Sequence, residues 1–241
     1  MSCSFDIDYS KLPSHIAVIM DGNGRWATKK GVPKLSGHKA GMEALKKIVR
    51  KSGEIGVEYL TVYAFSTENW KRSTEEVGGI FQILVYYMER ELKEIHKQNV
   101  KVNILGDYSA IPKKAENAVS EALELTKNNT GLKFNIALNY GGRDEICRAV
   151  KALARDVNDG VINPEDVTEE MIASKLYTGG MPDPDLIIRT SGELRLSNFL
   201  LWQSAYSEFY FTEVLWPDFD EDEYLKAIES FQHRKRNFGG R

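Results

Sequence analysis

Along the chain, short apolar runs bounded by turn residues alternate with longer stretches in which apolar side chains return every three or four positions. The first kind reads as strands covered on both faces, the second as helices with one buried stripe. Strands are predicted over 16–20, 58–65, 100–105, 132–139, 185–189 and 208–211, and helices over 38–52, 74–99, 112–127, 143–158, 168–177 and 221–233. This alternation predicts an α/β fold, a single domain with a mainly parallel central sheet of about six strands flanked by helices. The helix over 74–99 departs from the one-stripe rule. From Ile80 to Met88 it is apolar nearly all round, so a second face needs a cover besides the sheet, either a partner chain or a long apolar ligand. The expectation is an apolar tunnel between this helix and Leu132, Phe134, Ile136 and Leu138, which a period of two places on one side of their strand.

In open α/β sheets ligands bind at the carboxyl ends of the strands. Asp21 stands at the end of the first predicted strand, followed by Gly22, Asn23, Gly24 and Arg25. Glycines let backbone amides approach an anion, and arginine adds a planar charged fork. Gly22, Gly24 and Ala27 also satisfy the dinucleotide fingerprint, but its acidic residue about twenty positions on is missing. A carboxylate beside a diphosphate needs a cation between them, which suits magnesium. His38 opens the next helix. After the second strand come Ser66, Thr67, Glu68, Asn69, Trp70, Lys71 and Arg72, with Ser73 and Glu76 spaced as a capping box. Asn139 to Arg143 is another glycine turn, and Arg189 to Asn198 brings two arginines and two serines around a glycine. Glu208, a carboxylate in an aromatic strand, requires a partner or a metal.

The composition, 42% hydrophobic and 28% charged over 241 residues, describes an ordinary globular domain. A net charge of -3 argues against general nucleic-acid binding. Cys3 and Cys147 have neither metal-ligand spacing nor a disulfide framework, and no signal peptide or membrane-spanning run is visible, so a cytoplasmic protein is expected. Residues 1–14 are expected to be flexible and 234–241 to form a basic tail.

The chain resembles the cis-prenyltransferase family, of the bacterial undecaprenyl diphosphate synthase type, over nearly its whole length. The resemblance rests on Met-Asp-Gly-Asn-Gly-Arg-Trp at 20–26, Gly-His-Lys-Ala-Gly at 37–41 and Tyr-Ala-Phe-Ser-Thr-Glu-Asn-Trp at 63–70. It continues through Asn-Tyr-Gly-Gly-Arg at 139–143, Ile-Arg-Thr-Ser-Gly-Glu at 188–193 and Ser-Asn-Phe-Leu-Leu-Trp-Gln at 197–203, and ends with Trp-Pro-Asp-Phe at 216–219 and Phe-Gly-Gly at 238–240.

The resemblance implies magnesium-dependent addition of isopentenyl diphosphate to farnesyl diphosphate, giving a long polyprenyl diphosphate that serves as a carrier lipid for wall polymers. Asp21 would hold magnesium, with Glu208 completing the metal site from across a homodimer. Gly22, Asn23, Gly24, Arg25 and His38, with Trp26 and Lys34 nearby, would receive the primer's diphosphate. Arg189, Arg195 and Ser197, flanked by Leu196, would grip that of isopentenyl diphosphate. Asn69, with Ser66, Thr67, Glu68, Trp70 and Arg72, would lie near the reacting carbons; its neutral amide suits orientation better than proton acceptance. Lys34 replaces an arginine common in the family, and Asn237 replaces a second arginine in the tail. Two other readings are a nucleotide-binding oxidoreductase, opposed by the missing acidic residue, and a non-catalytic partner subunit, opposed by the presence of Asp21, Asn69, Arg189, Arg195 and Glu208. Handover of the product to a membrane, with peripheral association, is expected.

Overall fold

The computed structural model describes residues 5–234. His15–Ile19 (β1) leads through Asn23–Lys30 (α1) and Lys34–Ile55 (α2) to Tyr59–Ser66 (β2). Thr74–Lys97 (α3), Lys101–Leu105 (β3), Lys113–Thr126 (α4) and Lys133–Tyr140 (β4) follow, then Gly142–Asn158 (α5), Glu169–Lys175 (α6), Leu186–Arg189 (β5), Glu208–Phe211 (β6) and Glu221–Gln232 (α7). The strands form one six-stranded sheet in the order β3-β4-β2-β1-β5-β6, every neighbouring pair parallel.

Alternation along the strands sorts the core into two layers. Ile16, Val18, Leu60, Val62, Phe134 and Ile188 face the side where Ile48 of α2, Phe81 of α3, Val119 of α4 and Ile228 of α7 pack. Ala17, Ile19, Ala137 and Ile187 face Phe199 and Leu200 of the β5–β6 connection. Each large aliphatic or phenyl side chain buried this way contributes about 1.5–3 kcal/mol before entropy is subtracted. Polar groups inside the sheet are paired across four strands. His15 Nε2 lies 2.7 Å from Thr61 Oγ1, Asn135 Nδ2 donates to the same oxygen at 2.9 Å, and Asn103 Nδ2 donates to Asn135 Oδ1 at 2.9 Å.

Three expectations need correction. No helix is predicted between 20 and 38, yet α1 follows Gly22 immediately, and α2 starts at Lys34 rather than at 38. Apolar periodicity misses both segments because α1 buries only Ala27, while the first turns of α2 bury Gly37 and Gly41. Of the lead-in expected to be flexible, the described part from Asp6 to Lys11 is tied to α7. Asp6 and Asp8 N–H donate to Glu229 and Gln232, and Gln232 Nε2 donates back to the carbonyls of Asp8 and Lys11.

Candidate active site

Because Ile19 of β1 lies in register with Arg189 of β5, the residues beyond both strands meet at the carboxyl edge of the sheet. Arg189 Nη2 donates to Asp21 Oδ2 at 2.8 Å, and Nη1 donates to Ser197 Oγ at 2.8 Å and to the Arg195 carbonyl. Thr190 locks the junction. Its hydroxyl donates to the Asp21 carbonyl at 2.6 Å and accepts from the Asp21 N–H at 3.0 Å. Arg189 is 3% exposed, and its buried Nε has no partner among the described residues. A guanidinium with a free donor at a strand end is an anion site with capacity left over.

Gly22 reaches the φ of +108° that the turn into α1 demands, and no side chain caps that helix. Its first-turn amides are therefore offered to an anion. Gly37 and Gly41, one turn apart on α2, let that helix pass close to the start of α1. A Cβ would lie 2.1 Å from the Asn23 carbonyl oxygen at Gly37 and 2.3 Å from Asn23 Oδ1 at Gly41. This approach sets His38, between the two glycines, in the wall of the site.

The turn after β2 is held by a capping box. Asn69 Oδ1 accepts the Ser66 N–H at 3.1 Å while the Ser66 side chain accepts from the Asn69 backbone. That commits the Asn69 oxygen to the turn and leaves Nδ2, a donor rather than a base, for the site. Trp70 stacks on Phe81 and donates Nε1 to Asn139 Oδ1 at 2.8 Å. At the starts of α2 and α3, Arg72 pairs with Glu76 at 2.7 Å, and Lys34 and His38 lie 3.8 and 3.9 Å from the same carboxylate. Burial pushes the His38 pKa down, and the charge of Arg72 pushes the same way against the pull of Glu76. At neutral pH His38 is an uncharged imidazole able to donate one hydrogen bond.

From this polar rim a cavity of about 590 Å³ runs between α2, α3 and the sheet. Asp21, Asn23, His38, Ser66, Asn69, Arg72, Arg189 and Ser197 line one part. Leu45, Val49, Ile80, Leu84, Met88, Leu92 and Ile95 line the helical walls, and Phe134, Ile136 and Leu138 the sheet. Leu132, expected beside them, is buried in the core but is not part of this wall.

The other residues expected at the site stand around the rim rather than in the wall. Arg25 is held by Ser191, whose carbonyl it reaches at 2.9 Å, and by Glu193 at 3.1 Å. Arg195 also pairs with Glu193, at 2.5 Å, and is mostly exposed. Trp26 donates to Asp218 at 2.7 Å and Glu68 accepts from Asn198 at 2.7 Å, while Gly22, Gly24, Thr67 and Leu196 shape the turns. Glu208 is elsewhere. It pairs in register with Leu186 at the amino end of β5, roughly 15 Å along the strands from Asp21 at about 3.3 Å per residue, and binds Arg234 at 2.8 Å. Within one chain it cannot share a cation with Asp21. The tail arginines 236 and 241 lie outside the described residues.

The run from Arg189 to Asn198 was read as a candidate site, but no individual role was assigned there to Thr190, Glu193 or Asn198, nor elsewhere to Trp216 or Glu145. Glu145 is wholly buried, accepting from Tyr140 Oη at 2.5 Å, Tyr177 N–H at 2.7 Å and Gln203 Nε2 at 3.2 Å. It ties the β4 turn to the loop that carries Ser197. Asn139, Ser191, Ser197, Asn198 and Leu200 all take positive φ in these loops, a strain of about 1–3 kcal/mol each that such bonds hold in place.

Among the described residues no three His, Cys, Asp or Glu side chains converge as a metal cage. One carboxylate, Asp21, with diphosphate oxygens and water completing the shell, is nevertheless a donor set that magnesium accepts.

The family model for prenyltransferases of the undecaprenyl diphosphate synthase family matches residues 19–239. The chain is 53% identical to an isoprenyl transferase of Clostridium tetani, over 98% of this chain and 92% of the relative, and 55% identical to one of Streptococcus mutans, over 98% and 96%. Its fold superimposes on lavandulyl diphosphate synthase from Lavandula x intermedia, solved with dimethylallyl diphosphate, with a TM-score of 0.93 at 38% identity, covering 95% and 99% of the two chains. A probable undecaprenyl diphosphate synthase from Campylobacter jejuni gives 0.78 at 35%, again covering 95% and 99%. Matched in sequence and in fold over nearly all its length, with an anion site at the carboxyl edge of the sheet, the chain belongs to the undecaprenyl diphosphate synthase family of prenyltransferases.

Proposed function

We propose that the protein elongates farnesyl diphosphate, or a similar allylic primer, by sequential cis addition of isopentenyl diphosphate. The observation that carries this reading is the union of a rim bearing Asp21, His38, Arg72 and Arg189 with a cavity that has aliphatic side chains of α2, α3 and the sheet in its walls. Arg189 and Ser197, with Arg195 swinging in from the rim, bind the isopentenyl diphosphate. The first-turn amides of α1, His38 and Arg72 bind the primer's diphosphate, which takes the place of the Glu76 carboxylate beside Arg72 and His38. Magnesium, when bound, supplies charge stabilisation at the departing diphosphate, and Asp21 would hold it. Arg25 and Arg72 add fixed positive charge near the same group, and the walls exclude water from an allylic carbon that becomes cationic. The isopentenyl double bond attacks that carbon, and a proton is lost to leave the new double bond. Asn69 orients a reacting group through Nδ2; diphosphate oxygen or water takes the proton.

The lengthening chain lies in the cavity, which acts as the product tunnel. A shorter polyprenyl diphosphate is the second reading, and the length of the product separates the two. A homodimer along β6 covers an edge strand whose last residue, Phe211, is 37% exposed and is preceded by Tyr206 at 70%, and brings Glu208 toward the partner. Incubation with labelled isopentenyl diphosphate, farnesyl diphosphate and magnesium, followed by sizing of the lipid, tests the proposal. Label in a polyprenyl product is expected, and absence of incorporation contradicts it.

A further inference from the structure

We propose that the turn joining α1 to α2 docks the protein on an anionic lipid bilayer, with Lys29, Lys30 and Lys39 contacting head groups and Val32 entering the interface. The inference rests on the lipid product proposed above, but the surface itself is read from charge and exposure. Residues 23–39 contain Arg25, Lys29, Lys30, Lys34 and Lys39 and no Asp or Glu, in a chain of net charge -3. Of these, Arg25 pairs with Glu193 and Lys34 lies 3.8 Å from Glu76; further along α2, Lys46 pairs with Glu91 and Arg50 with Glu54, each at 2.7 Å, which leaves Lys47 as the exposed lysine there without an ion pair among the described residues. Lys29, Lys30 and Lys39 are exposed and make no ion pair among the described residues. Free positive charge is thus concentrated at the turn.

The turn also has an apolar tip. Gly31, at φ +67°, reverses the chain after α1, and Val32, 39% exposed, and exposed Pro33 follow, between Lys30 and Lys34. A solvated cationic face has no use for an exposed apolar pair at its centre, whereas a bilayer surface takes both, the side chain at the acyl boundary and the lysines among the head groups. Position agrees with purpose. α1 begins two residues after Asp21 and α2 carries His38 in the cavity wall, so docking here turns the rim, where the product's diphosphate sits, toward the membrane.

The test is co-flotation with vesicles of phosphatidylcholine alone or with about one third phosphatidylglycerol, without substrate, comparing the parent with Lys29→Glu/Lys30→Glu, Val32→Asp and the matched charge reversal Lys113→Glu/Lys114→Glu on α4. The parent should float only with anionic vesicles and be released by about 0.5 M salt. Either turn variant should lower partitioning, the double reversal by more than about tenfold, while the α4 control floats like the parent. Binding to neutral vesicles, no binding at all, undiminished binding of both turn variants, or an equal loss in the α4 control would each overturn the proposal. Prenyl transfer by the same variants in detergent is expected at the parent rate. Absence of that activity in the parent would count against the enzymatic reading, while the flotation result stands on its own.

Discussion

Asp21 is held by the backbone of its own turn, by Thr190 and by Arg189, and the last of these bonds carries most of its chemical meaning. A carboxylate pinned against a nearly buried guanidinium costs little to reorganise when a cation and a diphosphate arrive. Asp21→Asn keeps an acceptor for Arg189 while removing the charge. It should lower kcat on the order of 10²–10³-fold, with isopentenyl diphosphate affinity, measured by calorimetry, little changed. An unchanged kcat in the variant would remove Asp21 from the chemistry. His15 makes a different prediction. It is wholly buried between Thr61 and the Pro182 carbonyl, and burial pushes its pKa below the ordinary 6.5, against the bond to Pro182 and the charge of Asp185. The folded state therefore binds the proton less readily than the unfolded one. The stability that depends on neutral His15 is complete above pH 6.5 and is lost as the pH falls from there toward the lowered value. Melting temperatures of the parent and of His15→Gln should converge as the solution is acidified through that window. Curves that stay parallel would show that His15 does not titrate on unfolding.

At the scale of elements, the strands were legible because each is a short apolar run closed by turn residues, and a parallel sheet buries both of its faces. The start of α2 was not. Its first turns meet α1 through Gly37 and Gly41, and close approach by the absence of a side chain leaves no mark on hydrophobic periodicity. Asp21, Arg189 and Asn69 could be read as site residues because they stand at strand ends. Thr190 and Asn198 could not, since their roles come from hydrogen bonds between loops far apart in sequence. The apolar girth of α3 was read as the sign of a second burden besides the sheet, and Ile80, Leu84 and Met88 do line a cavity, whereas Leu132, chosen to face them, does not. Leu132 precedes β4, 5% exposed in the core, whereas Leu84 of α3 faces the cavity. Leu132→Ala should therefore cost about 2–5 kcal/mol in chemical denaturation and leave product length alone. Leu84→Ala should shift product length with a smaller loss of stability. The reverse pattern would mean that the cavity wall has been assigned to the wrong side chains.

For the molecule as a whole, the cavity joins the polar rim to aliphatic side chains of α2, α3 and the sheet, with Lys46, Arg50, Glu91, Glu94 and Gln98 also in its lining; on the proposed reading a growing chain gains about 0.8 kcal/mol per methylene-sized group buried against the aliphatic walls, less its lost freedom. Long products should bind tightly and leave slowly, and detergent should raise the steady-state rate by accepting them. Glu208 lies too far from Asp21 to act in its own chain, so any part it has in catalysis belongs to a dimer. Sedimentation equilibrium should show a dimer at assay concentrations, and a fully active monomer would exclude a shared site. If the product grows from the rim along α3, its length reports where the path is blocked. Leu84 and Ile95 both line the cavity, 11 residues apart on one helix, which is about 16 Å at 1.5 Å per residue. Chromatographic sizing of the products of Leu84→Trp, Ile95→Trp and the parent should give lengths in that ascending order, each block stopping the chain where it stands. Identical length distributions in all three, from variants that remain folded and active, would contradict the account.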